Sequence, residues 1–378
     1  MKIVLAPDSF KGSLTASQVC VAIEQGIRRV VPDAEIVPLP VADGGEGTVD
    51  ALVNALNGEF RKKGVTGPLG FPVEASYGWI DHNKTAVIEM AAASGLCLVP
   101  VSHRNPFETT TYGTGELMVH AINQGARRIL LGIGGSATTD CGTGMAQALG
   151  VRFYSKGELI QTPMNGFLMG QIDGIDVSTI HSDIREIPIE VACDVNNPLL
   201  GNHGAVAVYA EQKGAQSNDL PLLEKHLTYA ISVIEESTKQ YVRDIPGAGA
   251  AGGLGAGLMA FCSAELKSGI DLVLDAIQFS AQIQNADWVI TGEGRIDGQT
   301  GSGKALAGVM RGVKKQGIRG ALIAGTIQME PNALLRLGFE TWKSLGSSSV
   351  SVEYAMTHAN ELIAEAAEIL IREIRANQ

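Results

Sequence analysis

The chain opens on a short apolar run, residues 2–6, and leaves it through Pro7, Asp8 and Ser9. Thr15 and Gln18 then stand at capping-box spacing, and Val19, Ile23, Ile27 and Val30 recur at helical intervals. The pattern predicts a strand followed by an amphipathic helix. Residues 35–39 read as a second strand, leading to Asp43-Gly44-Gly45-Glu46-Gly47-Thr48 and a helix with Val49, Leu52, Val53 and Leu56 on one face. The same alternation returns late in the chain. Residues 287–291 predict a strand, 292–303 a glycine-rich loop, 304–315 a helix, and 320–324 a strand ended by Gly325. A short helix over 332–337 and a weak strand over 340–344 follow. Met356, Leu362, Ile363, Ala366, Ile369, Leu370 and Ile374 then form the apolar stripe of a last helix, 353–375.

Five strands alternating with helices match a doubly wound parallel sheet of flavodoxin type. The middle of the chain has a different pattern. Residues 75–80 and 85–90 flank Asp81-His82-Asn83 like an antiparallel hairpin, and 127–131 and 187–193 read as buried strands. The predicted fold is therefore α/β in two domains. A discontinuous flavodoxin-like domain, residues 1–59 with 285–378, carries an inserted mixed α/β domain, residues 60–284. Ligands of open sheets bind beyond the carboxyl ends of the strands. Asp8, Asp43, the run Thr291-Gly292-Glu293-Gly294 and Gly325-Thr326 mark that edge.

Charge and composition narrow the function. The 378 residues carry a net charge of −11 with no basic run, which argues against a nucleic-acid partner. Five cysteines without metal-ligand spacing read as the reduced thiols of a cytoplasmic protein. The first apolar stretch is too short for a signal peptide. Residues 247–264 are uncharged but rich in glycine and alanine, and read as a loop entering a buried helix rather than a membrane span. No membrane partner is expected.

The 46 glycines are well above the usual share of about 7%. Gly298 to Lys304 matches G-x-x-x-x-G-K, yet Ala305 stands where a P-loop needs a hydroxyl for magnesium. Gly132-Ile133-Gly134-Gly135-Ser136-Ala137 matches G-x-G-x-x-A, but no acidic residue follows at dinucleotide-binding spacing. What remains is a set of glycine-rich loops carrying carboxylates and hydroxyls, around Asp43, Gly134, Gly247 and Thr291. Backbone N–H groups in such loops bind phosphate oxygens, and adjacent carboxylates suit a bridging Mg²⁺. Lys11 lies near where a phosphate would sit. Arg295 stands between Glu293 and Asp297, and Asp194 ends an apolar strand.

Taken together, Ala6-Pro-Asp-Ser-Phe-Lys-Gly-Ser-Leu14, Ala42-Asp-Gly-Gly-Glu-Gly-Thr48 and Glu89-Met-Ala-Ala-Ala-Ser-Gly95 resemble the bacterial type-1 glycerate kinase family. So do Gly113-Thr-Gly-Glu116, Gly132-Ile-Gly-Gly-Ser-Ala-Thr138, Ala192-Cys-Asp194, Gln212-Lys-Gly-Ala215 and Ile290-Thr-Gly-Glu-Gly-Arg-Ile-Asp297. The resemblance runs in order from residue 1 to about 325. It departs at Thr139-Asp140-Cys141-Gly142, where the family usually has Asn-Asp-Gly-Gly, and fades beyond Thr326. It implies ATP- and Mg²⁺-dependent phosphorylation of D-glycerate on the 2-hydroxyl, in glyoxylate or sugar-acid catabolism. On this reading Asp8, Asp43 and Asp194 hold magnesium or accept the hydroxyl proton, and Lys11 neutralises charge on the transferred phosphate. Arg295 clamps either the phosphate or the substrate carboxylate. Gly134, Gly135, Ser136, Thr291, Gly292, Glu293, Gly294 and Asp297 are the candidates for binding the nucleotide. Two rivals stand beside it, an NAD-dependent hydroxy-acid dehydrogenase using the Gly132 loop and a non-catalytic sugar-acid-binding protein. The oligomeric state stays open, a homodimer being one outcome.

Overall fold

In the computed structural model, which describes residues 1–45, 47–297, 304–345 and 352–376, the first apolar run forms the strand Lys2–Leu5. Ile3, Val4 and Leu5 are fully buried, as a central parallel strand covered on both faces requires. The strands Glu35–Pro38 and Trp288–Ile296 flank it, both parallel to it. Arg319–Ile327 and Phe339–Ser344 extend the sheet beyond Trp288–Ile296, again parallel. Numbered along the chain, the five strands lie in the order 2-1-3-4-5. That is the flavodoxin-like order.

The Thr15 capping box forms: its hydroxyl accepts from the Gln18 amide while the Gln18 side chain accepts from the Thr15 amide. The helix Ala16–Arg28 that it starts buries Val19, Ile23 and Ile27 in the same core as Ile3, Leu5, Trp288, Ile290 and Ile323. Ala359–Ala376 packs beside it, with Ile363, Leu370 and Ile374 turned inward. Gly26 is small for a reason: a Cβ there would fall 2.1 Å from the Ala364 carbonyl oxygen.

The chain divides into two compact units. Met1–Asp43, Asp50–Asn57 and Ile270–Gln378 make one, Gly44–Val49 and Gly58–Gly269 the other. The second unit is built on six strands in the order Glu265–Lys267, Ile189–Ala192, Arg128–Gly132, Thr85–Glu89, Pro72–Ile80, Glu59–Thr66. The first four are parallel, and the last two join antiparallel. Ile80 faces Thr85 and Gly78 faces Val87, the hairpin read from residues 75–90. A separate small sheet pairs Arg152–Ser155 with Glu158–Leu159 and Gly174–Asp176. The uncharged stretch enters the helix Ala250–Cys262, which is almost wholly buried. Among the described residues no helix is long and apolar enough to cross a membrane.

One expectation needs correction. Residues 292–296 are not loop but strand: Glu293 pairs with Ala324, Arg295 with Thr326 and Ile296 with Ile327, so the neighbouring strand also runs on past Gly325. Gly292, Gly294 and Gly325 all have ordinary negative φ, so they are not turn glycines. They allow close approach instead, since a Cβ on Gly325 would lie 2.2 Å from the Gly294 carbonyl oxygen. The P-loop-like run 298–303 and Glu46 lie outside the described residues.

Candidate active site

Asp8 stands three residues beyond the Lys2–Leu5 strand, where the chain leaves the sheet. Its amide donates to the Gly292 carbonyl at 2.9 Å, which carries the pairing between the two strands one step further. Its Oδ1 accepts from the Ser9 amide at 2.6 Å, and the residue is only 5% exposed. Burial pushes its pKa up from the usual 3.8 to about 6. The Asp43 charge pushes the same way, while the Ser9 hydrogen bonds and the Lys11 charge oppose it. Asp8 and Asp43 are thus electrostatically coupled carboxylates, a pair that a cation would relieve.

Lys11 projects from the exposed tip of a tight turn closed by Phe10 N–H to Leu14 O at 2.9 Å and Leu14 N–H to Phe10 O at 3.0 Å. The turn rests on Gly294. A Cβ there would meet Phe10 Cα at 3.3 Å and the Lys11 nitrogen at 3.5 Å. Glycine at this strand position therefore seats the lysine turn against the sheet. Thr291 acts as a clasp: it is fully buried and donates its hydroxyl to the Ala6 carbonyl at 2.7 Å. Glu293 on this strand and Asp297 just past its end are half-buried. Arg295 is exposed, pairs with Asp297 Oδ2 at 3.5 Å and donates to Gln328 Oε1 at 3.0 Å. The first unit so gathers Asp8, Lys11, Asp43 and the Thr291–Asp297 carboxylates at the carboxyl end of its sheet. Asp194 and Gly134–Ser136 belong to the second unit.

There the carboxyl ends of three parallel strands meet. Asp194, just past Ile189–Ala192, accepts from the Gly269 amide at 2.9 Å. Gly44 crosses the same strand ends: a Cβ on it would lie 2.5 Å from Ala192 Cβ and 2.8 Å from Gly269 Cα. Its carbonyl lies 2.8 Å from where a Cβ on Gly132 would stand, and Gly134 faces Gly45 Cα at 3.6 Å. Val49 N–H donates to Glu89 Oε1 at 3.0 Å, anchoring the run that follows. Two glycine-rich segments that are far apart in sequence are therefore neighbours, and at Gly44 and Gly132 only glycine fits so close.

Gly134 and Gly135 are exposed, Gly135 in the left-handed region at φ 71°. The residues behind them are locked. Leu96 N–H donates to Gly135 O, Ala137 N–H to Ser94 O, and the Thr109 hydroxyl to Ala137 O. Asp140 is fully buried and accepts from the Thr111 amide at 2.8 Å, the Thr111 hydroxyl at 2.7 Å, and the Gly142 and Gly144 amides. Burial raises its pKa; those hydrogen bonds counter it. Cys141 takes φ 55° where the family pattern has glycine, a conformation that costs a side chain about 1–2 kcal/mol. Among the described residues no group of three or more His, Cys, Asp or Glu could hold a metal ion by itself.

Two residues here, Asp140 and Lys213, have no role in the sequence reading, and one loop read there as a phosphate cradle, the one around Gly247, is corrected by the structure. The left-handed run Ala251-Gly252-Gly253 packs on Thr138–Cys141, so the loop entered at Gly247 is buried support instead. Lys213 is only 1% exposed. The signal was present as a lone lysine in the otherwise uncharged run 212–218, but spacing gave no reason to bury it.

Comparison with known proteins fixes the family. The model of the glycerate kinase family matches residues 3–375. The chain belongs to the glycerate kinase family. It is 48% identical over 375 residues to the glycerate kinase of Bacillus subtilis strain 168, covering 99% of this chain and 98% of that one. It is 46% identical to the glycerate 2-kinase of Escherichia coli K12, covering 97% and 96%. A crystal structure from Salmonella typhimurium LT2, assigned by name to glycerate kinase 2, superposes with a TM-score of 0.92 at 44% identity, covering 100% of this chain and 99% of that one. Membership in the glycerate kinase family leaves the dehydrogenase and sugar-acid-binding readings without support.

Proposed function

We propose that the protein transfers the γ-phosphoryl group of ATP to the 2-hydroxyl of D-glycerate, giving 2-phosphoglycerate and ADP. The observation that carries this reading is the family match over residues 3–375, joined to near-complete alignment with a relative named glycerate 2-kinase. The geometry supports it. Phosphoryl transfer asks little covalent chemistry of a protein and much positioning and charge neutralisation. Burial raises the Asp8 pKa to about 6, which suits it to taking the hydroxyl proton near neutral pH. Asp8 and Asp43 in the first unit, and separately Asp194 in the second, are the candidate carboxylates for Mg²⁺. Magnesium typically keeps its waters and uses one or two carboxylates plus phosphate oxygens, so no three-residue cage is needed. When bound, it neutralises charge on the phosphate oxygens.

Lys11 adds a mobile positive charge for the transferred group. Arg295, exposed and only loosely held by Asp297, serves the phosphate or the substrate carboxylate. Gly134, Gly135 and Ser136 offer backbone N–H groups to nucleotide phosphates, and Gly292, Glu293, Gly294 and Asp297 are assigned to the nucleotide with them. Thr291 joins them by holding the strand through Ala6. A coupled assay for ADP tests the proposal. ADP release should require D-glycerate, ATP and Mg²⁺ together. Release at the background rate with pure D-glycerate would reject it.

A further inference from the structure

Lys213 is a buried lysine whose charge no carboxylate among the described residues directly receives. It ends the short turn of 3-10 helix Glu211–Lys213, and Gly214 then reverses the chain at φ 99°. The only hydrogen bond its ammonium makes among the described residues goes to the Thr138 carbonyl oxygen, at 2.6 Å. Asp140 lies close enough to influence its charge but already accepts four hydrogen bonds from Thr111, Gly142 and Gly144. The carboxylate is satisfied without the lysine. Burying an ammonium is costly, and replacing such a group by an apolar side chain of similar volume is often neutral or stabilising. Stability alone does not explain Lys213.

The Thr138 carbonyl sits where the loop passes from the exposed Gly134–Gly135 turn to the buried Thr139–Asp140 segment. The Thr138 and Thr139 hydroxyls are buried with no hydrogen-bond partner among the described residues, so they do not hold the chain there. Gly252 lies close against the same carbonyl. A Cβ on it would come within 2.0 Å of the oxygen. The Thr138 carbonyl is thus met by both the left-handed Gly252 backbone and the Lys213 ammonium.

We propose that Lys213 is a positioning residue: through the Thr138 carbonyl it fixes the orientation of the Gly134–Ser136 turn, and so of the N–H groups that turn offers to nucleotide phosphate. Its consequence for catalysis rests on the reading of that turn as a nucleotide loop; its effect on the loop itself does not. Burial pushes the Lys213 pKa down to about 7, with the Asp140 charge pulling it back up, in keeping with a group retained at a cost.

The test is Lys213→Met in the full chain, with hydrogen exchange by mass spectrometry, thermal unfolding and steady-state kinetics. Exchange in peptides spanning 134–142 should quicken about tenfold or more, with the rest of the chain unchanged and the melting temperature equal or higher. kcat/KM for ATP should fall by about 10–100-fold, the usual cost of removing a group that orients a ligand-binding residue, while KM for D-glycerate stays within about threefold. Unchanged exchange over 134–142 would overturn the proposal. So would a variant that fails to fold or melts lower, because Lys213 would then be a stability element. Faster exchange with all kinetic constants unchanged would uphold the anchoring by Lys213 and reject the nucleotide-loop reading instead.

Discussion

Asp8→Asn separates the electrostatic argument from the rest of the account. The carboxyl is 5% exposed and its pKa rises from 3.8 to about 6. The folded protein therefore binds a proton there more tightly than the unfolded chain. Stability from this group is fully present below about pH 4 and is lost as pH rises through 6, leaving the full penalty at pH 8. At 1.36 kcal/mol per pKa unit the ceiling is about 3 kcal/mol. Asparagine keeps an oxygen for the Ser9 amide at the position of Oδ1 and removes the charge. The variant should therefore be more stable than the parent by roughly 1–3 kcal/mol at pH 8, and equal to it near pH 4. At about 2–4 °C per kcal/mol for a unit of this size, the melting temperature should rise by roughly 2–12 °C at pH 8. Calorimetry at both pH values, in chelator and without nucleotide, reads the shift. In a separate assay with ATP, Mg²⁺ and D-glycerate, kcat should fall by about 10²–10⁴-fold, the range for loss of a proton acceptor. An equal or lower melting temperature at pH 8, or the same gain at both pH values, would refute the placement of an ionised, desolvated carboxylate at position 8.

Other outcomes follow from the packing and the loops. Gly252→Ala should destabilise by several kcal/mol, because its Cβ meets the Thr138 carbonyl at 2.0 Å and its φ is 69°. Gly157→Ala, with φ 77° and open space around it, should cost only about 1 kcal/mol; equal losses in denaturant unfolding would remove the contact from the explanation. Lys11→Ala should lower kcat by about 10²–10³-fold without loss of stability, the scale of one preorganised charge. Lys304→Ala should cost less, because Ala305 supplies no hydroxyl for magnesium; a larger loss at Lys304 in the same assay would reverse that assignment.

Much of the first unit was legible because local signals agreed with the global pattern. The Thr15–Gln18 box, the stripe of Val19, Ile23 and Ile27, and the apolar run at 2–6 each pointed to the element that forms. The hairpin around Asp81–Asn83 was visible for the same reason. The edge strand Glu59–Thr66 was not, since Glu59, Arg61, Lys62 and Lys63 blunt an exposed edge and break the apolar alternation that marks a strand. Gly292 and Gly294 misled because a glycine needed for close backbone approach is indistinguishable in sequence from one needed for a turn. In the site, Asp8 and Lys11 were named from their place just after the first strand and from the family resemblance. Asp140 and Lys213 depend on partners 29 and 75 positions away, and no local spacing reports such a contact.

The most direct test of the central claim is the identity of the product. Purified protein with ATP, Mg²⁺ and D-glycerate, followed by phosphorus and proton NMR, should show the resonances of 2-phosphoglycerate growing in step with ADP. A spectrum holding 3-phosphoglycerate alone would contradict transfer to the 2-hydroxyl. One in which no phosphoglycerate forms while the protein remains folded would contradict the proposed activity altogether.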